Sequence, residues 1–170
     1  TPSTEIFEQL PQYKDSLYCE WAPNEKVAVE VAYGASIAGA RTLSAMKLVG
    51  LNVAADPLFT AAYLGVNGGF VIVDADDPSM HSSQNEQDNR WYAKHAKIAL
   101  VEPSDSQECK DFMRAAYDIS EEFDMPVLFR TTTRVSHSKS LVELGERTEH
   151  EIKPYTPNPK KFVCTPAGAY

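Results

Sequence analysis

Short apolar runs alternate along the chain with longer stretches whose apolar residues recur at helical spacing. The runs at Leu17–Trp21, Thr42–Met46, Phe70–Ala75, Ile98–Val101 and Val127–Arg130 predict strands. The periodic stretches Ser3–Leu10, Glu25–Ala38, Pro57–Gly65, Gln87–Ala96 and Ser106–Phe123 predict helices. Strand-then-helix alternation of this kind implies an α/β domain with a mostly parallel, doubly wound sheet. Beyond about Thr133 the periodicity fades, and "KPYTPNPKK" has the composition of a linker or extended arm. The expected organisation is one domain over 1–135 and a linker or C-terminal extension over 136–170, with no internal repeat.

Ligands of such sheets bind outside the carboxyl ends of the strands. The segments to inspect are therefore "APNEK" (22–26), "KLVGLN" (47–52), "DADDPSMHSSQNEQD" (74–88), "EPSD" (102–105) and "TTTRVSHS" (131–138). Glu25 opens a helix directly after a predicted strand. A carboxylate there complements the helix dipole, worth roughly 0.3–1 kcal/mol. Burial beside Trp21 and Pro23 would instead demand a partner or ligand for it. Both readings stand on the sequence. In "YGASIAGA" (33–40), Gly34 and Gly39 each cost a helix about 1 kcal/mol relative to Ala, and suit a place where another element or a ligand approaches closely.

Composition narrows the classes. The 170 residues carry 16 basic and 24 acidic side chains, a net charge of −8, which disfavours nonspecific binding to nucleic acid or to an anionic membrane. No apolar run approaches the roughly 18 residues of a membrane span, and no signal-peptide pattern opens the chain. Cys19, Cys109 and Cys164 are few and widely spaced, which fits a reducing cytoplasm and supplies no zinc or iron–sulfur ligand set. "KLVGLN" matches neither glycine-rich phosphate-loop spacing. His81 with Ser82 and Ser83 amid several acids fits no usual metal motif, so no metal site is expected. His95, His137 and His150 have no evident partners in the sequence. The start without Met and the apolar end "FVCTPAGAY" lead to the expectation of a piece of a longer polypeptide.

Three segments carry a family resemblance: "TPSTEI", "EWAPNEKVAVEVAYGASIAGARTLSAMKLVGLNVAADPL" and "DADDPSMHSSQNEQDNRWYAKHAKI". They resemble the indolepyruvate branch of the thiamine-diphosphate-dependent 2-oxoacid:ferredoxin oxidoreductases, specifically the pyrimidine-binding domain of the alpha subunit. The resemblance covers Thr1 to about Ser138. It implies a thiamine-diphosphate-binding fold preceded in the family by a further strand and helix. It also implies an enzyme that oxidatively decarboxylates aryl pyruvates to acyl-CoA with ferredoxin as acceptor. Glu25 matches the family glutamate that hydrogen-bonds N1′ of the aminopyrimidine and favours its imino tautomer. Lys47, Gly50 and Asn52 are expected beside the cofactor, and Thr1, His81, Ser82 and Ser83 beside the substrate. The pyruvate enzymes place a substrate-binding arginine where this chain has Asp76 and Asp77.

Mg²⁺, the [4Fe–4S] clusters, CoA, a pyrophosphate-binding domain, a beta subunit and ferredoxin are implied only for the complete enzyme. A homodimer formed through the Gly/Ala-rich helix and strand-end loops is a further expectation. The alternatives are a related pyruvate or 2-oxoglutarate enzyme, or a noncatalytic ligand-binding or assembly module.

Overall fold

The computed structural model describes residues 3–166, so Thr1 lies outside the described residues. Four strands, β1 (Thr42–Lys47), β2 (Phe70–Asp76), β3 (Ala99–Val101) and β4 (Val127–Thr132), form one sheet in the order β1-β2-β4-β3. Every pairing is parallel. β2 and β4 lie at the centre, and β2 is buried along its whole length. That is why "FVIVDAD" starts as an unbroken apolar run rather than an alternating one.

Side chains alternate across the sheet and feed two cores. Phe70, Ile72 and Leu128 join Val29, Tyr33, Leu51, Leu58 and Ala93 on one face. That face is covered by α2 (Glu25–Ile37), α3 (Leu48–Val53), α4 (Ala55–Leu64) and α5 (Arg90–Ala96). Val71, Val73, Val127 and Phe129 pack on the other face against Ala116, Phe112 and Tyr117 of α6 (Ser106–Phe123), with Ile6 of α1 (Thr4–Gln9) alongside. Helices thus cover both faces, as a doubly wound sheet requires.

Several sequence expectations need correction. Leu17–Trp21 is not a strand but an irregular, largely exposed segment; Trp21 is 68% exposed and meets Phe7 in a tilted contact with ring centroids 4.4 Å apart. Its apolar residues resemble a strand only in composition, and no neighbouring strand edge pairs with them. "KLVGLN" is not a loop either, since β1 runs through Lys47 and α3 starts at once. Likewise β4 extends to Thr132 and leads straight into α7 (Thr133–His137).

Gly39 does not sit inside a helix. α2 ends at Ile37, and Gly39 follows its cap with φ +104°. Its N–H donates to the Ser36 carbonyl and the Ala40 N–H to that of Ala35. This is the left-handed closure that glycine makes without steric penalty. The segment after α7 carries no helix or strand until α8 (Pro159–Phe162), yet it runs along the domain. The Lys153 N–H donates to the Gly39 carbonyl, and the Lys161 ammonium meets the Asp124 carboxylate at 2.7 Å.

Candidate cofactor site at the carboxyl edge of the sheet

The triplet Asn24-Glu25-Lys26 divides into three tasks. Asn24 is the N-cap of α2, its side-chain oxygen accepting the Val27 N–H at 3.0 Å. Lys26 reaches away to Asp56 at the start of α4, at 3.0 Å. Glu25, the first helical residue, is half-buried and turns to α3. The burial expected from Trp21 is absent; what covers Glu25 is the backbone of Gly50.

Gly50 and Glu25 fit each other closely. A Cβ at position 50 would stand 2.7 Å from Glu25 Cγ and 2.9 Å from its Oε1. Only glycine therefore leaves room for the carboxylate over the first turn of α3. Among the described residues Glu25 takes no side-chain hydrogen bond or ion pair. A seated, half-exposed carboxylate of this kind can accept or share a proton with a nitrogen base brought into the cleft. The donor set and the cradle therefore fit an aminopyrimidine ring.

The other expected residues lie on the same edge with different roles. Lys47 donates to Gln84 Oε1 at 3.0 Å. Asn52 exchanges hydrogen bonds with Gln87, at 3.0 and 2.9 Å, and accepts the Tyr92 hydroxyl at 2.6 Å. Lys47 and Asn52 thus tie the end of β1 and α3 to the segment after β2. Ser82 and Ser83 direct their backbone N–H groups at Asp77 Oδ2, at 2.7 and 2.9 Å, and His81 is exposed. Their loop is joined to β1 and α3 through Gln84 and Gln87, not through these three residues.

Asp76 and Asp77 are structural in this fold. Asp77 also accepts the Thr133 hydroxyl at 2.6 Å. Burial opposes its charge, but the hydrogen bonds from Thr133, Ser82, Ser83 and His81 hold its carboxyl well below the usual carboxylate range. Asp76 Oδ2 accepts Arg130 Nε at 2.6 Å, and Arg130 Nη1 reaches Glu102 at 2.8 Å. Asn89 completes the cluster. Its side chain donates to Asp74 Oδ1 at 2.9 Å and to the Leu48 carbonyl at 3.1 Å, while Gln87 donates to that carbonyl at 3.0 Å.

Asp74, Gln87, Asn89 and Arg130 were not singled out from the sequence. The available signal was the period of two, because Asp74 and Asp76 continue the inward face of Phe70 and Ile72. Three histidines also have unforeseen neighbours: His95 meets the Phe59 ring edge-on with centroids 5.0 Å apart, His137 Nδ1 lies 3.1 Å from Glu5, and His150 Nε2 lies 3.2 Å from Arg41.

Residues 1–166 match the family described as pyruvate flavodoxin/ferredoxin oxidoreductase, thiamine diphosphate-binding. The chain is 52% identical over 177 aligned residues to the indolepyruvate oxidoreductase subunit IorA of Archaeoglobus fulgidus. It is 51% identical over 172 to that of Methanothermobacter marburgensis. In both cases 99% of the chain is covered, and the chain spans about 28% of the relative's length. Among solved structures, 2-oxoglutarate:ferredoxin oxidoreductase from Magnetococcus marinus superposes with a TM-score of 0.70 at 20% identity, over 80% of this chain and 25% of that one. Benzoylformate decarboxylase from Polynucleobacter necessarius gives 0.65 at 19%, over 87% and 29%. These two likenesses concern the fold. With a family model spanning nearly every residue and half of the aligned positions identical, the chain belongs to the thiamine-diphosphate-binding pyruvate flavodoxin/ferredoxin oxidoreductase family.

Proposed function

We propose that this domain holds the aminopyrimidine half of thiamine diphosphate in an enzyme that oxidatively decarboxylates aryl pyruvates, indolepyruvate first among them. The observation that carries the proposal is Glu25 seated against Gly50 at the carboxyl edge of the sheet. The similarity to indolepyruvate oxidoreductase subunits supports the substrate class.

When bound, thiamine diphosphate supplies a carbanion-type nucleophile and an electron sink for the 2-oxoacid. Glu25 holds a proton against the ring nitrogen N1′ and so sets the tautomer. The backbone of Gly50 keeps the Glu25 side chain in place, which fixes where that proton lies. Lys47 and Asn52 hold the loop after β2 against α3, so their contribution to cofactor binding is to shape the cleft wall. His81, Ser82 and Ser83 line the loop proposed to face the aryl substrate, with Thr1 proposed at the same pocket.

Among the described residues no group of three or more His, Cys, Asp or Glu side chains could hold a metal ion. Mg²⁺, the iron–sulfur clusters and the CoA site are proposed for the rest of the complete enzyme. So are the pyrophosphate-binding half, a beta subunit and the ferredoxin contact. Among the described residues no helix is long and apolar enough to cross a membrane.

The test is Glu25→Gln in the intact enzyme. Removing a positioned proton donor costs about 10²–10⁴-fold in turnover. Indolepyruvate-dependent reduction of ferredoxin or a viologen dye should fall by that order. Turnover within a factor of about two of wild type would sink the assignment.

A further inference from the structure

On β2 the inward face of Phe70 and Ile72 continues as Asp74 and Asp76, both with no exposed surface. Asp74 Oδ1 accepts the Asn89 side-chain amide at 2.9 Å. Asp76 Oδ2 accepts both the Asn89 backbone N–H, at 3.1 Å, and Arg130 Nε, at 2.6 Å. That leaves Asp74 Oδ2 and Asp76 Oδ1, each buried with no donor among the described residues. Arg130 spends Nε on Asp76 Oδ2 and Nη1 on Glu102, and it donates to neither orphan oxygen. Two ionised carboxylates here would leave a buried charge uncompensated, which proteins do not sustain.

One proton satisfies both orphan oxygens. We propose that Asp74 is held as a neutral acid whose Oδ2–H donates to Asp76 Oδ1, and that this dyad, through Asn89, positions the start of α3 beneath Glu25. Asp76 keeps the charge because it has Arg130 and a backbone donor, whereas Asp74 has only an amide. Burial first, and then the neighbouring Asp76 charge and the hydrogen bond between the two carboxyls, push Asp74 well above the usual carboxylate range. The other charged or titratable groups around the pair are Arg130 on β4, Glu102 beyond β3, and Arg90 and Tyr92 on α5. The link to Glu25 is short. Asn89 bridges Asp74 and the carbonyl of Leu48, which opens α3 two residues before Gly50.

The shared proton rests on the two buried, partnerless carboxylate oxygens; the positioning role rests on Glu25 being the cofactor's proton partner. The proton is read by infrared difference spectroscopy of the intact protein, labelled with ¹³C at the aspartate carboxyls, wild type against Asp74→Asn at neutral pH. A carboxylic-acid carbonyl band in the wild type that the variant lacks is expected. Its absence would overturn the proposal.

The positioning role is read by amide hydrogen exchange at Asn89 and along α3 across pH. A raised carboxyl stabilises the closed state below its ordinary pKa of about 3.9, and that stabilisation is lost as pH rises toward its folded value. Wild-type protection should therefore fall up to about tenfold per pH unit more steeply than that of Asp74→Asn. Parallel profiles would overturn the role. If Asp74→Asn does not fold, disappearance of the wild-type band at high pH reads the same proton, and a band that does not titrate counts against it. Glu25→Gln should leave the band untouched, so failure of the cofactor assignment would show in turnover alone.

Discussion

Replacing Gly50 by alanine sets two effects of opposite sign against each other. In the first turns of α3, alanine is the better helix former by about 1 kcal/mol. Taken alone, that would stabilise the domain or leave it unchanged. The new Cβ, however, would stand 2.7 Å from Glu25 Cγ and 2.9 Å from its Oε1. Carbon atoms at rest sit about 3.5–4.0 Å apart, so the carboxylate must retreat by roughly 1 Å. A displacement of that size in a reacting group costs on the order of 10²-fold in rate.

The expected outcome is a protein as thermally stable as the wild type, or more so, with turnover reduced about a hundredfold. The assay pairs indolepyruvate-dependent dye reduction with thermal unfolding of the same preparation. Shortening the opposing side chain gives an internal control. In a double-mutant cycle, Glu25→Asp should cost less on the Gly50→Ala background than on wild type, because the contact is relieved. Turnover of Gly50→Ala within about threefold of wild type would refute the cradle. So would a loss of activity matched by a loss of folding.

Two further outcomes follow from the ion pairs. Arg130→Met removes the counter-charge of a fully buried Asp76 and should destabilise the protein by about 3–5 kcal/mol in denaturant titration, whereas a change below 1 kcal/mol would show the pair to be dispensable. Glu121 is worked in the acid range. Burial alone would raise its pKa, but Arg41, the Gly69 N–H and Lys153 hold it down to about 2 from an ordinary 4.5. Its stabilisation is therefore complete above about 4.5 and lost as pH falls through 2, and Glu121→Gln should flatten the acid-denaturation profile over that window.

Much of this domain is legible in its sequence. The alternation of apolar runs and helical periods marked β1 to β4 and the long helices, because each must bury a face at its own repeat. Glu25 was legible as a helix-opening carboxylate, but the strand expected before it is absent, and it reaches the sheet edge through Gly50 after β1. The segment Leu17–Trp21 misled because its composition is strand-like while pairing depends on a neighbouring edge that does not reach it. "KLVGLN" misled because a helix of six residues is too short to declare a period.

What the sequence by itself determined is the class of sheet, its two-faced core and the edge proposed for the site. Local repeat and burial dictate those, and both are written in the order of residues. The tertiary structure decided which residues meet across that edge. Gly50 gained its meaning only when the fold placed it under Glu25, 25 positions away in the chain. Asp76 read as a loop acid and Asp74 as the tail of a strand, until β2 was seen to carry both inward beside Asn89 and Arg130. The cost of burying a carboxylate depends on the donors that surround it, and those donors are assembled by topology, not by neighbours in sequence.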